Sequence, residues 1–353
     1  MRFIHLADVH LGAVPDRGYP WSDKRENEIW ETFRRIIAGI RENPVDLLFI
    51  AGDLFHRQPL LRELKEVNYL FSTIPDTRVY LIAGNQDYLK ADSFYRDFEW
   101  SENVIFFQNE KLTCVKDPKL DVYVYGLSYE HPQITAGLYD GFRAAAKDGM
   151  HILLAHGGDE KHCPFNISSL ASSGFDYIAL GHRSSPGILI RDAVAYSGSP
   201  EPFDSTDFGE HGYIEGRVEN GKLRISFVPF AVRSYKQLLL HVEEDSTQIS
   251  LEENLKEEIF KNGGLNIYRV ILQGKRSPGL LLIPEKLKSF GNITEVLDET
   301  RPAYDLEKLS RQYAGTLIGD YIHYFMKKDR NITEDKALFY GLQALLETRG
   351  TDS

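Results

Sequence analysis

The sequence predicts an α/β fold in which sheets are covered by helices, followed by a smaller α+β module. Three observations support this prediction: short apolar segments rich in β-branched residues, an amphipathic helical segment between the first two of them, and a change of pattern near residue 232. The chain has 353 residues, which is longer than one ordinary compact unit. We therefore predict three parts, at residues 1–231, 232–300 and 301–353.

The first part alternates predicted strands with turns and helices. Its clearest strands are runs of β-branched and aliphatic residues that end at Gly, Asp or His, at Phe3–Ala7, Val45–Ala51, Val79–Ala83, His151–Ala155 and Asp176–Leu180. A helix is predicted between the first two from apolar residues at helical spacing, namely Ile29, Phe33, Ile36, Ile37 and Ile40. Further strands are predicted at Asp121–Tyr129, Gly187–Ile190, Val194–Ser197, Tyr213–Val218 and Lys222–Val228. Such a mixture of βαβ and hairpin signals favours sheets covered by helices.

After about residue 232 the pattern is that of a small α+β module. A strand, a helix, a strand and a short helix are predicted in order at Gln237–Val242, Leu251–Lys261, Asn266–Gln273 and Ile283–Phe290. A helix is then expected from Leu306 to Lys328, and another from about Glu334 to Glu347. These last helices carry an apolar stripe, which either packs on its own domain or forms a docking surface for a partner.

Composition and charge restrict the possible partners. The net charge is −11, whereas a nucleic-acid binder ordinarily neutralises phosphates with Lys and Arg, so DNA binding would need a local basic strip, metal ions or a partner. Cys114 and Cys163 lie in unrelated contexts and predict no disulfide framework. No apolar run approaches the roughly 20 residues of a membrane helix, and the start of the chain does not read as a signal peptide. We expect a cytoplasmic protein without membrane contact.

Five short segments place a polar side chain just past a predicted strand, where loops converge in α/β folds. They are Asp8-Val9-His10, Gly52-Asp53-Leu54-Phe55-His56, Gly84-Asn85-Gln86-Asp87, His156-Gly157-Gly158 and Gly181-His182-Arg183-Ser184. Each segment alone is a weak signal, but buried acids and imidazoles are costly unless they are paired or bind metal. Together the segments predict a metal site whose ligands are Asp8, His10, Asp53, Asn85, His156 and His182.

The predicted ligands combine nitrogen and oxygen without a thiolate. Such a set favours Mn, Fe or Zn over a structural cysteine–zinc site, and the hard oxygens favour Mn. Two such ions about 3.5–4 Å apart suit phosphoester hydrolysis, because they neutralise developing charge and lower the pKa of a bound water toward about 7. The reaction also needs an acid that stabilises the leaving oxygen.

The order of these motifs resembles that of the calcineurin-like metallophosphoesterases, D-x-H, G-D, G-N-H-D/E, H and G-H-x-H. A closer resemblance is to the SbcD- and YhaO-type DNA repair exonucleases, relatives of the eukaryotic meiotic-recombination nuclease. It is carried by His5-Leu6-Ala7-Asp8-Val9-His10-Leu11-Gly12, Gly52-Asp53-Leu54-Phe55-His56, Gly174-Phe175-Asp176-Tyr177-Ile178-Ala179-Leu180-Gly181-His182 and Tyr196-Ser197-Gly198-Ser199-Pro200-Glu201-Pro202-Phe203. The resemblance implies a metallophosphoesterase-type β-sandwich flanked by helices, a capping domain at 232–300 and C-terminal helices.

The resemblance also implies a role for each site residue. The first ion would be held by Asp8, His10 and Asp53, and the second by Asp53, Asn85, His156 and His182. His56 would lie beside the DNA backbone, or else is a surface loop residue. Arg183 is not part of the family pattern; as the neighbour of His182 it either places a guanidinium at the phosphate or faces solvent.

Two positions depart from the family pattern. Gln86 stands where the family has the His that supplies leaving-group protonation, and an amide cannot transfer a proton at neutral pH. Ser184 stands where the second His of G-H-x-H would complete the shell of the first ion, so weaker binding there is expected. Asp87 is retained, although its usual role is to orient the His that Gln86 replaces.

Three functions are compatible with this pattern. The first is a Mn-dependent DNA repair nuclease, reduced or retuned by Gln86 and Ser184, which works as a homodimer with an SbcC-like ABC-type ATPase. The second is a catalytically degenerate subunit that binds DNA ends and the ATPase as a scaffold. The third is a phosphodiesterase for a small nucleotide. The resemblance of residues 232–300 to the capping domain of the repair exonucleases argues against this third function.

Overall fold

The computed structural model of the protein describes residues 1–145, 148–326 and 329–348. The chain divides into two compact units, Met1–Lys236 and Gln237–Ser353. All of the predicted site residues lie in the first unit, and the finer division of the chain at residue 300 stays a prediction.

The secondary structure alternates between strands and helices in the first unit. The strands of the chain are β1 (Arg2–Leu6), β2 (Leu47–Ala51), β3 (Arg78–Ile82), β4 (Val104–Phe107), β5 (Thr113–Lys116), β6 (Val122–Gly126), β7 (Met150–His156), β8 (Tyr177–Gly181), β9 (Gly187–Ile190), β10 (Val194–Tyr196), β11 (Gly212–Glu219), β12 (Lys222–Pro229), β13 (Tyr235–Val242), β14 (Ile267–Arg276), β15 (Asn292–Asp298) and β16 (Arg301–Pro302). The helices are α1 (Ser22–Glu42), α2 (Leu61–Ser72), α3 (Ile167–Ala171), α4 (Gln248–Asn262), α5 (Pro284–Leu287), α6 (Leu306–Gln312), α7 (Leu317–Met326) and α8 (Ile332–Thr348). Short 3-10 turns occur at Leu138–Gly141 and Lys288–Phe290.

The first unit contains two six-stranded sheets, with strand orders β12-β11-β1-β2-β3-β4 and β5-β6-β7-β8-β10-β9. Strands β1 to β4 are parallel to one another in the first sheet, and β6, β7, β8 and β10 are parallel in the second. Parallel strands end at the same edge of their sheet, so the loops that follow β1, β2 and β3 lie side by side. The loops after β7 and β8 do the same in the other sheet.

The two sheets face each other across a core of apolar side chains. Phe3 on β1 packs against Phe49 on β2 and against Tyr177 on β8, with ring centroids 5.2 and 5.0 Å apart. The opposite face of the first sheet is covered by α1 and α2, and all of the apolar residues that predicted α1 are buried there. Strands covered on both faces are apolar at nearly every position, as β2 is. The predicted α/β fold, a β-sandwich flanked by helices, is confirmed.

The second unit has a sheet of its own, ordered β13-β14-β15, with β16 paired to β14. Helix α4 buries Leu251, Leu255 and Ile259 in the core of this unit. Among the last helices, Ile318, Ile322 and Leu342 form a small buried cluster. Of the apolar stripe predicted between Leu306 and Lys328, Leu306, Leu309, Tyr313 and Tyr321 pack against this cluster and Phe325 is buried, whereas Leu317 is exposed. Tyr324 and Tyr340 are also exposed.

The structure corrects several sequence predictions. The helix expected from Leu306 to Lys328 is divided into α6 and α7, and Gly315 between them adopts a left-handed φ of +77° that a helix cannot continue through. The end of that prediction, Lys327 and Lys328, lies outside the described residues. The short helix predicted at Ile283–Phe290 is present, as α5 followed directly by a 3-10 turn. Elements that were not predicted are α2, α3, β4, β5, β15 and β16.

None of the described helices combines the length and the hydrophobicity that spanning a bilayer requires.

Candidate metal centre

The loops that follow the carboxyl ends of the parallel strands in the two sheets meet at one edge of the sandwich. Asp8 follows β1, and its backbone N–H donates to the carbonyl of Gly52, which follows β2. The carboxylate of Asp8 in turn accepts the backbone N–H of His182, 2.8 Å away in the loop after β8. His156, at the end of β7, donates from Nδ1 to the carbonyl of Ala51, with 2.9 Å between the two atoms. The predicted ligands from both sheets are thereby brought together.

The ligands predicted for the first ion form one cluster. Nε2 of His10 lies 3.9 Å from Oδ1 of Asp8 and 3.9 Å from Oδ2 of Asp53. One ligand atom from each of these residues lies within 4.8 Å of the others. Both carboxylates are buried, whereas the His10 side chain is 13% exposed and borders the solvent.

The ligands predicted for the second ion form an adjoining cluster. Oδ1 of Asn85 lies 2.9 Å from Nε2 of His156 and 3.0 Å from Nδ1 of His182. Oδ2 of Asp53 lies 3.4 Å from the same Nε2 atom of His156. Asp53 therefore belongs to both clusters, as a carboxylate that bridges two ions would.

The hydrogen bond from His156 to Ala51 fixes which imidazole nitrogen faces the centre. A carbonyl oxygen can only accept, so Nδ1 carries a proton and Nε2 of the neutral ring presents its lone pair to Asn85 and Asp53. A lone pair directed at two oxygens is repelled unless a proton or a metal ion lies between them. Burial alone would lower the pKa of His156, but the charges of Asp53 and Asp8 raise it to about 9. In the metal-free protein a proton therefore supplies the missing positive charge.

The spacings of the donor atoms in the second cluster fit a divalent ion. Ligands at right angles around an ion, with bonds of about 2.1 Å, have donor atoms roughly 3 Å apart. The distances from Asn85 to the two imidazoles are 2.9 and 3.0 Å. The nitrogen and oxygen donors suit a borderline or hard divalent ion. The residues that are present thus fit the metal sites that the sequence predicts.

Several candidate ligands have left-handed backbone conformations, which non-glycine residues rarely adopt. The φ angles are 53° at Asp8, 51° at His10, 51° at Asp53 and 101° at His182. Each such residue costs about 1–3 kcal/mol, and these conformations concentrate at functional sites where the surrounding structure enforces them. Finding four of them in one centre supports a functional role for this edge of the sandwich.

Two glycines allow the loops to approach closely. A Cβ atom at Gly52 would overlap the ring of His156, and the φ of Gly52 is +91°. At Gly84 a Cβ atom would overlap the carboxylate and backbone nitrogen of Asp53. Because only glycine leaves this space, both positions are required for Asp53 and His156 to meet.

The buried charges of the centre oppose one another. Burial raises the pKa of Asp8 well above its ordinary value, and the nearby charge of Asp53 raises it further. Burial would raise the pKa of Asp53 too, but attraction to His156 and His10 lowers it to about 2. Burial lowers the pKa of His10 to about 4, so that ring is neutral at physiological pH and can act as a ligand. Additional positive charge would relieve the repulsion between the carboxylates.

Gln86 and Asp87 have different environments. Gln86 is exposed, and its backbone N–H donates to Oδ1 of Asp53 over 2.8 Å. Asp87 is fully buried and accepts from the backbone of Gly84 (2.8 Å), the backbone of Phe55 (3.2 Å) and the hydroxyl of Tyr95 (3.0 Å). Asp87 therefore ties the loop after β3 to the loop after β2. Burial raises its pKa to about 7.

Ser184 belongs to a hydrogen-bond chain beside the first cluster. Its hydroxyl donates to Oδ1 of Asp207, and Oδ2 of Asp207 accepts the backbone N–H of Phe203 over 3.0 Å. The ring of Phe203 packs edge-on against His10 with centroids 4.6 Å apart. Asp207 therefore joins Ser184 to the residue that packs on His10.

His56 and Arg183 are exposed at the rim of the centre. Nδ1 of His56 lies 3.3 Å from Nδ1 of His10, the ring nitrogen that faces away from Asp8 and Asp53. The guanidinium of Arg183 stacks over the ring of Tyr196 at 4.9 Å from its centroid. Among the residues that the structure describes, no carboxylate forms an ion pair with Arg183, so its charge is available at the rim.

One contact of His182 was not predicted from the sequence. Oδ2 of Asp159, in the loop after β7, lies 2.7 Å from Nε2 of His182 and 2.9 Å from Nδ1 of His162. The only signal in the sequence is an acidic residue three positions before a histidine, shortly after the His156-Gly157-Gly158 segment.

Comparisons with known proteins agree with this arrangement. A family profile described as calcineurin-like phosphoesterase matches residues 1–186, which include all of the predicted metal ligands. The uncharacterized metallophosphoesterase YhaO of Bacillus subtilis is 28% identical over 322 residues, covering 84% of this chain and 76% of the relative. The DNA double-strand break repair protein Mre11 of Sulfurisphaera tokodaii is 25% identical and covers 95% of this chain and 90% of its own. The protein of the same name from Methanopyrus kandleri is 38% identical, over 57% of this chain and 49% of the relative.

Proposed function

This chain belongs to the calcineurin-like phosphoesterases, and from that premise we propose that it is a Mn²⁺-dependent DNA nuclease subunit that uses two metal ions. The observation that carries the proposal is the position of Asp53, whose carboxylate lies in both ligand clusters. The choice of DNA as substrate is supported by the Mre11 relatives, one of which aligns with 95% of this chain and therefore extends well beyond the phosphoesterase domain.

Each ligand has a place in the proposed centre. Asp8, His10 and Asp53 would hold the first ion, and Asp53 would share the second with Asn85, His156 and His182. When bound, the ions would neutralise phosphoryl charge and lower the pKa of a water that serves as nucleophile. The chain itself fixes the ligand atoms before metal arrives, because strained backbone and buried hydrogen bonds hold them.

The rim residues would bind and orient the DNA backbone. Arg183 presents an exposed guanidinium, which can form two parallel hydrogen bonds with a phosphate. His56 lies beside His10 and can contact the same phosphate group. Asp87, a candidate catalytic residue by its place in the family motif, would act by holding the loop that carries Asn85, since its hydrogen bonds join that loop to the one after β2.

This nuclease would differ from its family in the source of the proton that the leaving oxygen needs. Gln86 can donate a hydrogen bond but cannot give up a proton, and losing a positioned general acid typically costs about 10²–10⁴-fold in rate. We therefore expect slow cleavage, in which solvent water supplies the proton.

We propose partners from the net charge of the chain and from the exposed apolar side chains of its C-terminal helices. The acidic chain has a net charge of −11, so an SbcC-like ABC-type ATPase would provide the basic surface for DNA. The exposed Leu317, Tyr324 and Tyr340 of the C-terminal helices would contribute to contacts with that partner or with a second copy of the chain.

A second candidate function is a degenerate subunit that binds DNA ends and the ATPase as a scaffold. The observation that favours it is the environment of Ser184, whose hydroxyl is hydrogen-bonded to Asp207 at the position where the family has an imidazole ligand. A first ion held by Asp8, His10 and Asp53 would then bind weakly. Fewer than two Mn²⁺ ions per chain at saturating metal would support this alternative.

Cleavage of end-labelled duplex DNA tests the proposal. The full chain is incubated with Mn²⁺, beside Asp53→Asn and, as a matched control for loss of one carboxylate, Asp92→Asn at an exposed position. We expect cleavage by the parent chain and by Asp92→Asn, and none by Asp53→Asn. No cleavage by any of them, with full activity in a Gln86→His/Ser184→His double variant, would overturn the nuclease proposal in favour of the scaffold.

A further inference from the structure

The loop after β7 carries a carboxylate that converges on a candidate ligand of the second ion. Asp159 accepts from Nε2 of His182 over 2.7 Å and from Nδ1 of His162 over 2.9 Å. It also accepts the backbone N–H groups of Lys161 and His162, over 2.8 and 2.9 Å. Although the side chain of Asp159 is 51% exposed, this set of donors holds its carboxylate in one orientation.

The bond to Asp159 determines the tautomer of His182. An ionised carboxylate can only accept hydrogen bonds, so Nε2 must carry the ring proton. The neutral ring then presents its lone pair at Nδ1, which lies 3.0 Å from Oδ1 of Asn85. That is the tautomer with which His182 can bind a metal ion beside Asn85. Metal-binding histidines generally have the other ring N–H bonded to a carboxylate or carbonyl, and His156 has such a bond to Ala51.

His162 also restrains the ring of His182. Its ring packs against the ring of His182 with centroids 4.5 Å apart, and both rings donate to the same carboxylate. The ring of His182 is thereby restrained by a hydrogen bond at Nε2 and by packing on one face. Restraints of both kinds reduce the freedom that the ligand would lose on binding metal.

We propose that Asp159 is a positioning residue for the second metal site, where it fixes the tautomer and ring orientation of His182. The proposal rests on the metal centre of the proposed function, but not on DNA being the substrate. A separate ion bound by Asp159, His162 and His182 is the competing interpretation of the same cluster. It requires Nε2 of His182 as a ligand, so His182 could serve both ions only after losing both ring protons.

Metal titration of the full chain tests the proposal. Calorimetry with Mn²⁺ is performed on the parent chain, Asp159→Asn, Asp159→Ala and Glu160→Gln. Glu160 is the matched control, because it is the adjacent exposed acid and, in the described part of the chain, has no hydrogen bond to either histidine. We expect one of the two binding steps to weaken by roughly 10–100-fold in both Asp159 variants, with the other step and the control unchanged.

A second measurement separates positioning from a general effect on folding. In ¹⁵N-histidine NMR spectra of the metal-free chain, His182 should show a proton on Nε2 in the parent and a mixture of tautomers in Asp159→Asn, whose amide can also donate. Unchanged Mn²⁺ affinity in Asp159→Asn, equal weakening in Glu160→Gln, or a third bound ion lost with Asp159 would each overturn the proposal. If the parent chain binds no Mn²⁺ at all, the proposed function fails as well, which distinguishes the two failures.

Discussion

Nε2 of His156 lies 3.4 Å from Oδ2 of Asp53, while the other ring nitrogen of His156 is bonded to the carbonyl of Ala51. The lone pair on Nε2 and the carboxylate of Asp53 repel each other unless positive charge lies between or beside them. A proton meets this need in the metal-free chain, and a divalent ion would meet it when bound. Metal binding at this site is therefore an exchange of a proton for a divalent ion.

Metal binding should release protons at neutral pH. The pKa of His156 is raised from 6.5 to about 9, so Nε2 is protonated before metal arrives and must lose its proton to become a ligand. Calorimetry of Mn²⁺ binding in buffers with different ionisation enthalpies should report release of about one proton or more per chain. Binding heats that do not depend on the buffer would contradict this prediction.

The raised pKa of His156 also predicts how the stability of the metal-free protein depends on pH. A histidine whose pKa is raised on folding stabilises the folded state fully below its unfolded pKa, and this contribution is lost as pH rises to about 9. Asp8, whose pKa is raised, changes stability in the same direction as it ionises. The melting temperature without metal should therefore fall between about pH 6.5 and pH 9. With saturating Mn²⁺ the fall should be absent, because the metal replaces the proton.

Gln86→His should increase the rate of DNA cleavage. The side chain is exposed beside the centre, so an imidazole can be accommodated there without repacking the core. A restored proton donor should raise the rate by up to about 10²–10⁴-fold and add an alkaline limb to the pH–rate profile, because the rate falls once the new imidazole loses its proton. Gln86→Asn, which keeps an amide, is the control and should cleave like the parent. An equal rate in Gln86→His and Gln86→Asn would show that proton donation does not limit cleavage.

Ser184→Ala should destabilise the first unit. The change removes the hydroxyl that donates to the buried carboxylate of Asp207, and leaving a buried acceptor without one of its donors costs about 1–3 kcal/mol. Ser185→Ala, at an exposed neighbouring position, should change the free energy of unfolding little. Chemical denaturation of both variants checks this. Equal stability of the two variants would show that the Ser184–Asp207 bond contributes nothing.

Gly84→Ala should abolish metal binding more strongly than it affects the rest of the fold. The added Cβ would overlap the carboxylate of Asp53, which must move out of both ligand clusters. Gly39→Ala is the matched control, because its Cβ would enter open space on α1 and should stabilise that helix by about 0.5–1 kcal/mol. Retention of two Mn²⁺ ions by Gly84→Ala would contradict the close packing described for this loop.

The parts of the metal centre that could be predicted from the sequence are those whose residues lie close together along the chain. Asp8 and Asp53 each follow an apolar strand directly, so both the strand and the polar residue after it are visible in a few consecutive positions. Contacts between distant loops could not be predicted in this way. The bond of Ser184 to Asp207 and that of Asp159 to His182 join segments whose proximity exists only once the sandwich has formed.

Secondary structure shows the same distinction. Helical spacing of apolar residues continues through Gly315, so the break between α6 and α7 depends on one backbone angle and not on the apolar pattern. By contrast, α2 did have a signal, because Leu64, Val67 and Phe71 recur at helical spacing and are all buried. The pattern of α2 is therefore present in the sequence, and its absence from the prediction has no physical cause.

Electron paramagnetic resonance of the Mn²⁺-loaded chain tests whether Asp53 bridges two metal ions. With two equivalents of Mn²⁺, we expect the spectrum of an exchange-coupled pair, which Asp53→Asn should lose and Asp92→Asn should keep. A spectrum of isolated Mn²⁺ alone in the parent chain, at any metal ratio, would contradict the bridged centre.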